Sequence, residues 1–556
     1  MPAKLHDTDA ELDELTETTP AGVTRRELFH IGNVLALPVL VGGVRGDAEA
    51  AAGPLRPGPE IYQSIGVEPI INCRGTFTII GGSVERPEVR AAMEAASRYY
   101  VQMDELADAV GQRLAELTGA EWGMVSAGCA AGLKLVTAAC VTGGNPEKLQ
   151  RIPDLTGFEK TEVVMPGSSR TAYDFAIRNI GVKLIVAETP EQFEKALSPR
   201  TAMIYLQGGP AMSGPLALEV VARMARPRNI PILVDAAAEV LTIPNVHLQR
   251  GATIVAYSGG KAICGPQCAG LLLGRKNLLM SAWQAGSPHH GPGRDNKVGR
   301  EETLGMVAAV EAWVKRDHQA EWKTWLSWLD TISKRVSTVE SVRTVVREPT
   351  GLSNRSPSLT ITWDPAKLHV TGDEVAEELA RTKPRIALGS DGAGDTDPGT
   401  TSISVTAWMM QPGDDKVVAD RIYGVLSRKR SSQSSTMIPP AANVSGRWDV
   451  EVEFFSSTSR HTLFIEQDGN WIRGSHQTDL SVRDIAGAIE GNEVKLRSAA
   501  PRPAVTYIFA GTMSGETISG PIYMGEYLNA RFTARRHSYP PERTRIVVPG
   551  GPPLAT

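Results

Sequence analysis

Between Ile61 and about Arg428 the chain alternates short apolar runs with amphipathic segments, and this pattern constrains the fold more than any other feature. Such alternation is typical of a mostly parallel β-sheet covered by helices. We expect strands at residues 122–126, 161–165, 182–187, 202–207, 232–235, 253–258 and 269–273. With 556 residues the chain is too long for one ordinary core, so we expect two or three domains.

Apolar side chains recur at three- or four-residue steps through residues 87–117, which predicts a single helix there. A second long helix, from about 301 to 336, should lead into a smaller α+β unit. The elements expected in that unit are strands at 358–363 and 401–406 and helices at 372–381 and 414–426.

The composition changes at residues 428–435, where basic and serine residues predict a flexible linker. Beyond it the apolar period becomes two, and short runs are separated by turn signals such as Asp468-Gly469 and Gly491-Asn492. We expect strands at 447–455, 462–467, 471–477, 494–498, 505–512 and 528–534. Antiparallel hairpins of this kind predict a small β-barrel or sandwich, with a structural or partner-docking role.

The first fifty residues are typical of a targeting segment. Arg25-Arg26 precede an uncharged, largely apolar run at 31–44, and Ala48-Glu49-Ala50 follows as a small-residue cleavage site. This arrangement resembles a twin-arginine export signal, and the alternative is a disordered tail with an apolar patch. The run is too short and too rich in Gly and Pro for a membrane span. We therefore expect an exported protein, periplasmic or extracytoplasmic, with no membrane span in the mature chain.

Net charge and cysteine content narrow the range of partners. The formal net charge is −4, without the basic excess that a nucleic-acid partner normally requires. The five cysteines are odd in number and scattered, so they form no disulfide framework, and no His cluster completes a metal site with them.

The strongest chemical signal is Tyr257-Ser258-Gly259-Gly260-Lys261, which directly follows an apolar strand. A lysine amine on a glycine-flanked turn at a strand end can form a Schiff base with an aldehyde cofactor, and loss of water would make it nucleophilic. Ser258 and the amides of Gly259 and Gly260 are placed to hold a phosphate. The alternative is a surface lysine in a loop.

Two further features support a cofactor site. Asp235 ends a buried strand, and a buried carboxylate needs a cationic partner such as a protonated pyridine nitrogen, although a helix-capping aspartate is the alternative. Gly128-Cys129-Ala130 lie between a strand and an apolar helix, where exposed amides can bind a phosphate dianion, or where the chain simply makes a tight turn. Aldehyde, pyridine and phosphate together describe pyridoxal 5′-phosphate (PLP).

These segments resemble one family. The segments are Ile71-Asn72-Cys73-Arg74-Gly75-Thr76, Gly81-Gly82-Ser83, Met103-Asp104-Glu105-Leu106, Val234-Asp235-Ala236-Ala237-Ala238-Glu239, Ser258-Gly259-Gly260-Lys261, Gly265-Pro266-Gln267 and Lys297-Val298-Gly299-Arg300-Glu301-Glu302. Over residues 61 to 428 the chain is similar to bacterial selenocysteine synthase-like PLP enzymes, in the branch that contains D-glucosaminate-6-phosphate ammonia lyase.

The resemblance implies a fold, site roles and an assembly. The fold is α/β, the type I, aspartate aminotransferase-like fold of PLP-dependent transferases, with a smaller α+β domain and the added C-terminal β-domain. Lys261 carries the cofactor as an internal aldimine, Asp235 binds the pyridine nitrogen, and Ala237 lies beside it. Active sites form between subunits, so a homodimer or a higher homo-oligomer is implied.

The domain organisation expected on this basis has six parts. They are an export leader at 1–52, a PLP-binding large domain at 53–300, a small α+β domain at 301–428, a linker at 429–443, a β-barrel-like domain at 444–537 and a tail at 538–556.

The chain departs from the family pattern at two places. Gly128-Cys129-Ala130 replace an Asn-Ala-Ala type sequence, and the segment from His289 to Asn296 differs from the usual Gly-Arg-Pro-Met. The candidates for binding a substrate carboxylate or phosphate are Arg74, Arg294 and Arg300, each of which has a structural salt bridge as the alternative. His289 and His290 are candidates for proton transfer, or are simply exposed.

The predicted reaction is transaldimination of an amino substrate, then Cα deprotonation by Lys261 to a quinonoid and elimination with release of ammonia. Racemisation and transamination are the alternatives on the same scaffold. A catalytically silent PLP-fold binding protein, docked through its β-domain, is an alternative from another class. A selenium transferase acting on seryl-tRNA is a poor fit because the chain has an export signal and no basic patch.

Overall fold

The computed structural model describes residues 53–391, 399–431, 436–499, 505–539 and 541. These residues fall into two compact units, which divide between Arg430 and Ser431. The expected export leader at 1–52 and most of the expected tail at 538–556 lie outside the described residues.

The strands belong to four groups. Ile70–Asn72 is β1. The large sheet contains β2 Trp122–Ser126, β3 Glu162–Pro166, β4 Lys183–Ala187, β5 Thr201–Gln207, β6 Ile232–Asp235, β7 Ile254–Ser258 and β8 Gly270–Gly274. The small domain contains β9 Arg343–Arg347, β10 Ser358–Trp363, β11 Arg385–Ala387, β12 Gly389–Asp391 and β13 Thr401–Thr406. The C-terminal unit contains β14 Gly446–Glu453, β15 Thr458–Asp468, β16 Trp471–Gln477, β17 Val482–Glu490, β18 Glu493–Ser498, β19 Tyr507–Ser514, β20 Thr517–Tyr523 and β21 Ala530–Arg536.

The large sheet has the order β2-β8-β7-β6-β5-β3-β4 and is parallel except for β8, which is antiparallel to both of its neighbours. The carboxyl ends of β2, β6 and β7 therefore lie at the same edge. In parallel α/β sheets that edge is where ligands bind. The mostly parallel sheet predicted from the apolar runs is confirmed, and β2 and β6 have the predicted bounds.

The longer helices are α1 Pro87–Ser97, α2 Met103–Thr118, α3 Cys129–Thr142, α4 Pro190–Ala196, α5 Leu218–Ala225, α6 Lys276–Gln284, α7 Arg300–Lys315, α8 His318–Val336, α9 Gly372–Arg381 and α10 Asp414–Leu426. The shorter helical segments are Gln63–Ile65, Thr78–Ile80, Pro146–Leu149, Gly167–Ser169, Ala172–Asp174, Phe175–Arg178, Gly208–Ala211, Arg226–Arg228, Val246–Gln249 and Pro365–Leu368. Helix α3 follows β2 directly in sequence and packs against the large sheet, so it is buried on nearly all sides.

The predictions of two long helices were wrong, because each predicted segment contains two helices separated by a break. The segment 87–117 divides into α1 and α2, and Gln102 caps the start of α2 by accepting the amide of Glu105 at 2.7 Å. The segment 301–336 divides into α7 and α8, and Asp317 accepts the amides of Gln319 and Ala320. A capping side chain satisfies the free amides of a new helix, so a break forms without Pro or Gly.

The small domain is an antiparallel sheet of order β12-β13-β10-β9 covered by helices, with the predicted bounds at β10, β13, α9 and α10. Strand β1 comes from the other end of the sequence and pairs in parallel with β11. Thr406 continues this link by donating its amide to the carbonyl of Cys73 at 2.8 Å. The segment that follows β1, including Arg74, is thereby fixed to the small domain.

The C-terminal unit is a closed barrel of eight antiparallel strands in chain order. The pattern of period two predicted six of them. Strand β17 was missed because Arg483, Asp484 and Gly487 interrupt its apolar alternation, and β20 because Gly520-Pro521 resembles a turn. Large apolar side chains, including Trp448, Phe509 and Phe532, fill the interior. Among the helices of the described residues, none has the length and apolar character needed to cross a bilayer.

Candidate active site

Asp235 lies at the carboxyl end of β6 and is buried. Its carboxylate accepts three hydrogen bonds: from the Tyr205 hydroxyl at 2.9 Å, from the Ala237 amide at 3.0 Å and from the Cys129 thiol at 3.6 Å. Burial raises the pKa of Asp235, and the hydrogen bonds of Ala237 and Tyr205 and the charge of Lys261 oppose that rise. The site thus holds a desolvated carboxylate in a fixed orientation, which is the environment that a cationic ring nitrogen requires.

Lys261 lies on the turn that follows β7, on the next strand of the sheet. The Gly259 amide donates to the carbonyl of Ala269, the Ser83 amide donates to that of Gly260, and Lys261 itself accepts the amide of Cys264 at 2.9 Å. Backbone hydrogen bonds therefore hold the turn on both sides of the lysine. Lys261 is half-buried, so its side chain is partly removed from water while its backbone is rigid.

Helix α3 begins at Cys129, immediately after Gly128, whose φ of +85° favours glycine. Ser126 at the end of β2 donates its hydroxyl to the carbonyl of Gly128 at 2.8 Å and fixes this turn. The first amides of a helix have no partner within the helix, and the helix dipole favours an anion there. Ala130 in the first turn of α3 is exposed, so these amides are accessible.

The electrostatics connect the three segments. Burial raises the pKa of the Cys129 thiol well above its usual range, Asp235 raises it further, and the charge of Lys261 opposes both. Lys261 thus acts on Cys129 and on Asp235 together. An amine for an aldehyde, a buried carboxylate for a pyridine nitrogen and helix amides for a phosphate meet at one sheet edge, and this donor set fits PLP.

Close packing explains why glycines surround the lysine. The Gln267 side chain fits between Gly82 and Gly260, where an added Cβ would come within 2.0 and 1.9 Å of its Oε1 atom. Gly270 approaches Gly128 so closely that a Cβ would lie 2.5 Å from the Gly128 carbonyl carbon. Any larger residue at Gly260 would therefore displace the turn after β7 that carries Lys261 (the lysine turn). Ser258 ends β7 beside this packing, half-buried.

The three arginine candidates have different surroundings. Arg74 is half-buried and stacks on Phe77, with 4.5 Å between its guanidinium carbon and the ring centroid. Arg294 is exposed and donates to the Ser287 hydroxyl at 2.6 Å. Arg300 instead donates to two carbonyls at the end of α1, 3.2 Å each, and pairs with Glu301 at 2.9 Å. Arg300 therefore forms a structural salt bridge, which was the alternative to binding substrate. Arg74 and Arg294 have no carboxylate partner among the described residues.

The loop between Gly286 and Asn296 is attached to two helices. Asp104 accepts from Trp283 Nε1 at 2.7 Å and lies 3.1 Å from His289 Nε2, and the Trp283 bond is the main reason why its pKa is lowered. Lys134 of α3 binds both oxygens of Asp295 at 2.8 Å. Asp295 belongs to the segment that departs from the family pattern, so this contact holds that segment against α3. His289 is oriented by Asp104.

Sequence reasoning missed Tyr205, which lies in β5 next to β6. Burial raises the pKa of its hydroxyl far above the usual range, and the charge of Asp235 adds to that effect. A signal was present, because a tyrosine near the end of an otherwise apolar strand needs a polar partner. Which partner it finds depends on the strand order, and the sequence does not show that order.

The chain is similar to several known proteins. The family described as Aminotransferase class-V matches residues 171–294. D-glucosaminate-6-phosphate ammonia lyase of Salmonella typhimurium is 30% identical over 295 residues, which are 51% of this chain and 77% of that protein. A 5′-C-glycyluridine monooxygenase-decarboxylase of Streptomyces sp is 30% identical over 354 residues, 59% of this chain and 83% of that protein.

A solved structure of a D-glucosaminate-6-phosphate ammonia-lyase has the same fold, with a TM-score of 0.58 and 24% identity over 66% of this chain and 98% of that one. Fold and site together define a PLP-dependent enzyme of the type I, aminotransferase-like class. Within that class, the chain belongs to the family of D-glucosaminate-6-phosphate ammonia lyase. Its cofactor is PLP.

Proposed function

We propose that the protein is a PLP-dependent lyase that eliminates ammonia from an amino acid or an amino-sugar acid. The observation that carries the proposal is the meeting of Lys261, Asp235 and the start of α3 at one sheet edge, in a chain 30% identical to an ammonia lyase. The relative's name supports the reaction type, and the proposal for this chain extends to the wider substrate class.

The residues divide the work. PLP, when bound, supplies an electron-withdrawing ring that stabilises negative charge at the substrate Cα. Asp235 would hold the ring nitrogen, and the amides of Cys129 and Ala130, with Ser258 and Gly260, would hold the phosphate. The Gly128 amide donates to the Ser126 carbonyl at 2.9 Å, so Gly128 would shape the phosphate turn and not donate to the phosphate. Lys261 carries the cofactor, and in the reaction its Nζ atom takes the proton from Cα and later returns a proton.

Substrate recognition is assigned to the arginines with an available guanidinium. Arg74, held over Phe77 beside the β1–β11 pair, and Arg294, on the Gly286–Asn296 loop, would bind the carboxylate or phosphate of the substrate. Arg300 is placed by its contacts to support the end of α1, and it would act on the substrate only indirectly.

A second candidate function comes from the second relative. That protein is named a monooxygenase-decarboxylase and shares as much identity with this chain as the lyase does. Loss of carbon dioxide with consumption of O₂ is therefore the reaction to test against elimination. Racemisation and transamination use the same Cα proton transfer and remain part of the same test.

We further propose an exported homodimer. Large apolar side chains are exposed in the large domain, among them Phe77 (48%), Tyr99 (70%) and Tyr100 (95%), and a second copy would cover them. The twin-arginine pattern at Arg25-Arg26 supports export of the folded, loaded enzyme. Light scattering of the purified chain would give a dimer mass, and a monomer would contradict this assignment.

The decisive experiment is turnover of the holoenzyme on a panel of D- and L-amino acids and amino-sugar acids. Ammonia and keto product in equal amounts support elimination. Release of carbon dioxide with O₂ uptake supports the second candidate, and inverted substrate or an aminated cofactor supports racemisation or transamination. If no compound changes the cofactor's visible absorbance, the protein is a silent PLP-fold binding protein and the lyase proposal is wrong.

A further inference from the structure

A cleft of about 1550 Å³ borders the lysine turn in the larger unit. Ala262 and Cys264, which follow Lys261 in sequence, form part of its wall. Lys261, Asp235 and Cys129 do not line it. The cleft therefore includes residues that follow Lys261 but none of the three groups assigned to the cofactor, and the proposed reaction makes no use of it.

Indole rings dominate the wall of this cleft. The tryptophans that line it are Trp313, Trp322, Trp325, Trp328 and Trp408. Two of them are fixed by hydrogen bonds, since Trp322 Nε1 donates to Glu348 at 2.7 Å and Trp313 Nε1 donates to the Leu241 carbonyl at 2.9 Å. Trp322 and Trp325 lie 6.0 Å apart at an angle of 58°. Fixed rings present flat faces on which a planar group can stack without ordering the side chains first.

The charged groups of the cleft are not balanced. Its cations are Arg86, Arg90, Arg316, Lys323 and Arg355, and its carboxylates are Glu85, Glu321 and Glu348. Glu321 pairs with Arg86 at 2.9 Å, and Glu348 accepts the Trp322 indole. Among the described residues, Arg90, Lys323 and Arg355 have no carboxylate within 4.0 Å, and Arg355 lies 6.0 Å from the Trp322 ring centroid. The cleft therefore offers unneutralised positive charge beside aromatic faces.

We propose that this cleft binds an anion that carries a planar aromatic ring, such as an aryl carboxylate. The ring would stack on Trp322 and its neighbours, and the anionic group would pair with Lys323 and Arg355. Aromatic side chains combined with charged groups that orient a ligand are usual in small-molecule sites. The site is a second ligand site and is independent of the reaction at Lys261.

The test uses holoenzyme and three probes, with tryptophan fluorescence as the readout. 1-Naphthoate has both the ring and the charge, 1-naphthalenemethanol has only the ring, and cyclohexanecarboxylate has only the charge. The expected result is that naphthoate binds about tenfold more tightly than either of the others, and that added NaCl weakens its binding. Equal affinity for naphthoate and the neutral alcohol would overturn the proposal.

Variants locate the site. Lys323→Gln combined with Arg355→Gln should weaken naphthoate about fivefold or more without changing the affinity for the alcohol, and Trp322→Leu should weaken both. Lys334→Gln is the matched control, because Lys334 lies on the same helix but pairs with Asp330 at 2.6 Å and does not line the cleft. The melting temperature of each variant shows that it is folded. Naphthoate binding that is unchanged in the charge variants would place the probe elsewhere.

A final arm separates this cleft from the catalytic site. Aminooxyacetate captures the aldehyde of PLP and should leave naphthoate binding unchanged. If it abolishes that binding, the probe occupies the cofactor site and the proposal is wrong. This outcome leaves the lyase proposal intact, so the two proposals fail separately.

Discussion

The large domain and the C-terminal barrel each bury a group of titratable side chains, but they treat charge in opposite ways. In the large domain, Asp235 is surrounded by donors from Tyr205, Ala237 and Cys129, with the charge of Lys261 nearby. In the barrel, His461 and His476 hydrogen-bond to each other at 2.9 Å. One centre holds a carboxylate ready for an opposite charge, and the other contains two bases of which only neutral forms fit.

The barrel centre satisfies its own polar atoms. His476 Nδ1 bonds to the Ser498 hydroxyl at 2.9 Å, and the ring packs edge-on against Tyr507 and Phe509. Burial is the main reason why the pKa of His476 is lowered to about 3, and the neighbouring imidazole of His461 contributes in the same direction. A proton on either ring would place a positive charge in a largely dry interior, and this charge is what burial disfavours.

This difference in charge compensation distinguishes a ligand-binding site from a protein core. The donors to Asp235 come from β5, from the turn after β6 and from the start of α3, and its pKa is still raised because burial outweighs these hydrogen bonds. The histidines of the barrel are compensated by one another, so no ligand is needed there. An incompletely compensated buried charge at a sheet edge is the better indicator of chemistry.

Replacing Lys261 gives the largest expected effect and tests whether the large domain is the reactive centre. Lys261→Ala should lower turnover about a thousandfold or more, because the attachment point and the base are lost together. Borohydride reduction followed by mass spectrometry should add the cofactor mass to the native chain and not to this variant. Lys276→Ala, an exposed lysine stacked on Trp122, is the control. Retained turnover in Lys261→Ala would remove the lysine from its role.

Asp235→Asn tests whether the carboxylate strengthens cofactor binding but lowers the stability of the cofactor-free protein. Cofactor affinity should fall about tenfold to a hundredfold, because the ring nitrogen loses its partner. Since burial raises the pKa of Asp235, its protonated form stabilises the folded state at low pH, and that stability is lost as the pH rises through the folded pKa. The cofactor-free variant should therefore match or exceed the native melting temperature at pH 8, with a smaller advantage at pH 5. A less stable variant at pH 8 contradicts this account.

His476→Leu tests the opposite centre. The lowered pKa of His476 means that its contribution to stability is complete above about pH 6.5 and is lost as the pH falls toward about 3. The variant should lose that acid dependence, and at neutral pH it should unfold about 1–3 kcal/mol more easily because His461 and Ser498 lose a partner. Denaturant unfolding at several pH values measures both effects. Turnover at Lys261 should stay unchanged, and a change there would show that the barrel centre also serves the reaction.

The sequence predicted best what depends on local pattern. Strands β2, β6, β10 and β13 and helices α9 and α10 have the predicted bounds, because apolar runs with clear ends define them. The end of α1 at Ser97 was harder to predict than the cap of α2 by Gln102, since the last carbonyls of α1 accept from Arg300, which comes from a distant segment. Tertiary contacts, rather than Pro or Gly, end that helix.

The same distinction between local pattern and tertiary contact applies to the residues of the site. Asp235 and Lys261 were predictable because each ends a strand next to small residues, and strand ends of one parallel sheet share an edge. Tyr205 and the Lys134–Asp295 pair were not, because their partners lie across strands or helices whose order the sequence does not state. A sequence therefore shows which groups end at the sheet edge, and only the packed structure shows which groups support them.

Arg316→Met has the smallest expected effect and shows how far the large-domain site extends. The Arg316 guanidinium donates to the carbonyls of Ala262 at 3.2 Å and Ile263 at 2.5 Å, the two residues after Lys261. Arg316 is half-buried, and burial lowers its pKa, so its guanidinium is partly desolvated where it contacts the lysine turn. Its loss should reduce turnover about three- to tenfold with little change in KM, and shift the pH at which the lysine-bound cofactor changes colour. Arg316→Lys should recover part of both effects. A lowered melting temperature with unchanged cofactor absorbance would show that Arg316 supports the fold alone.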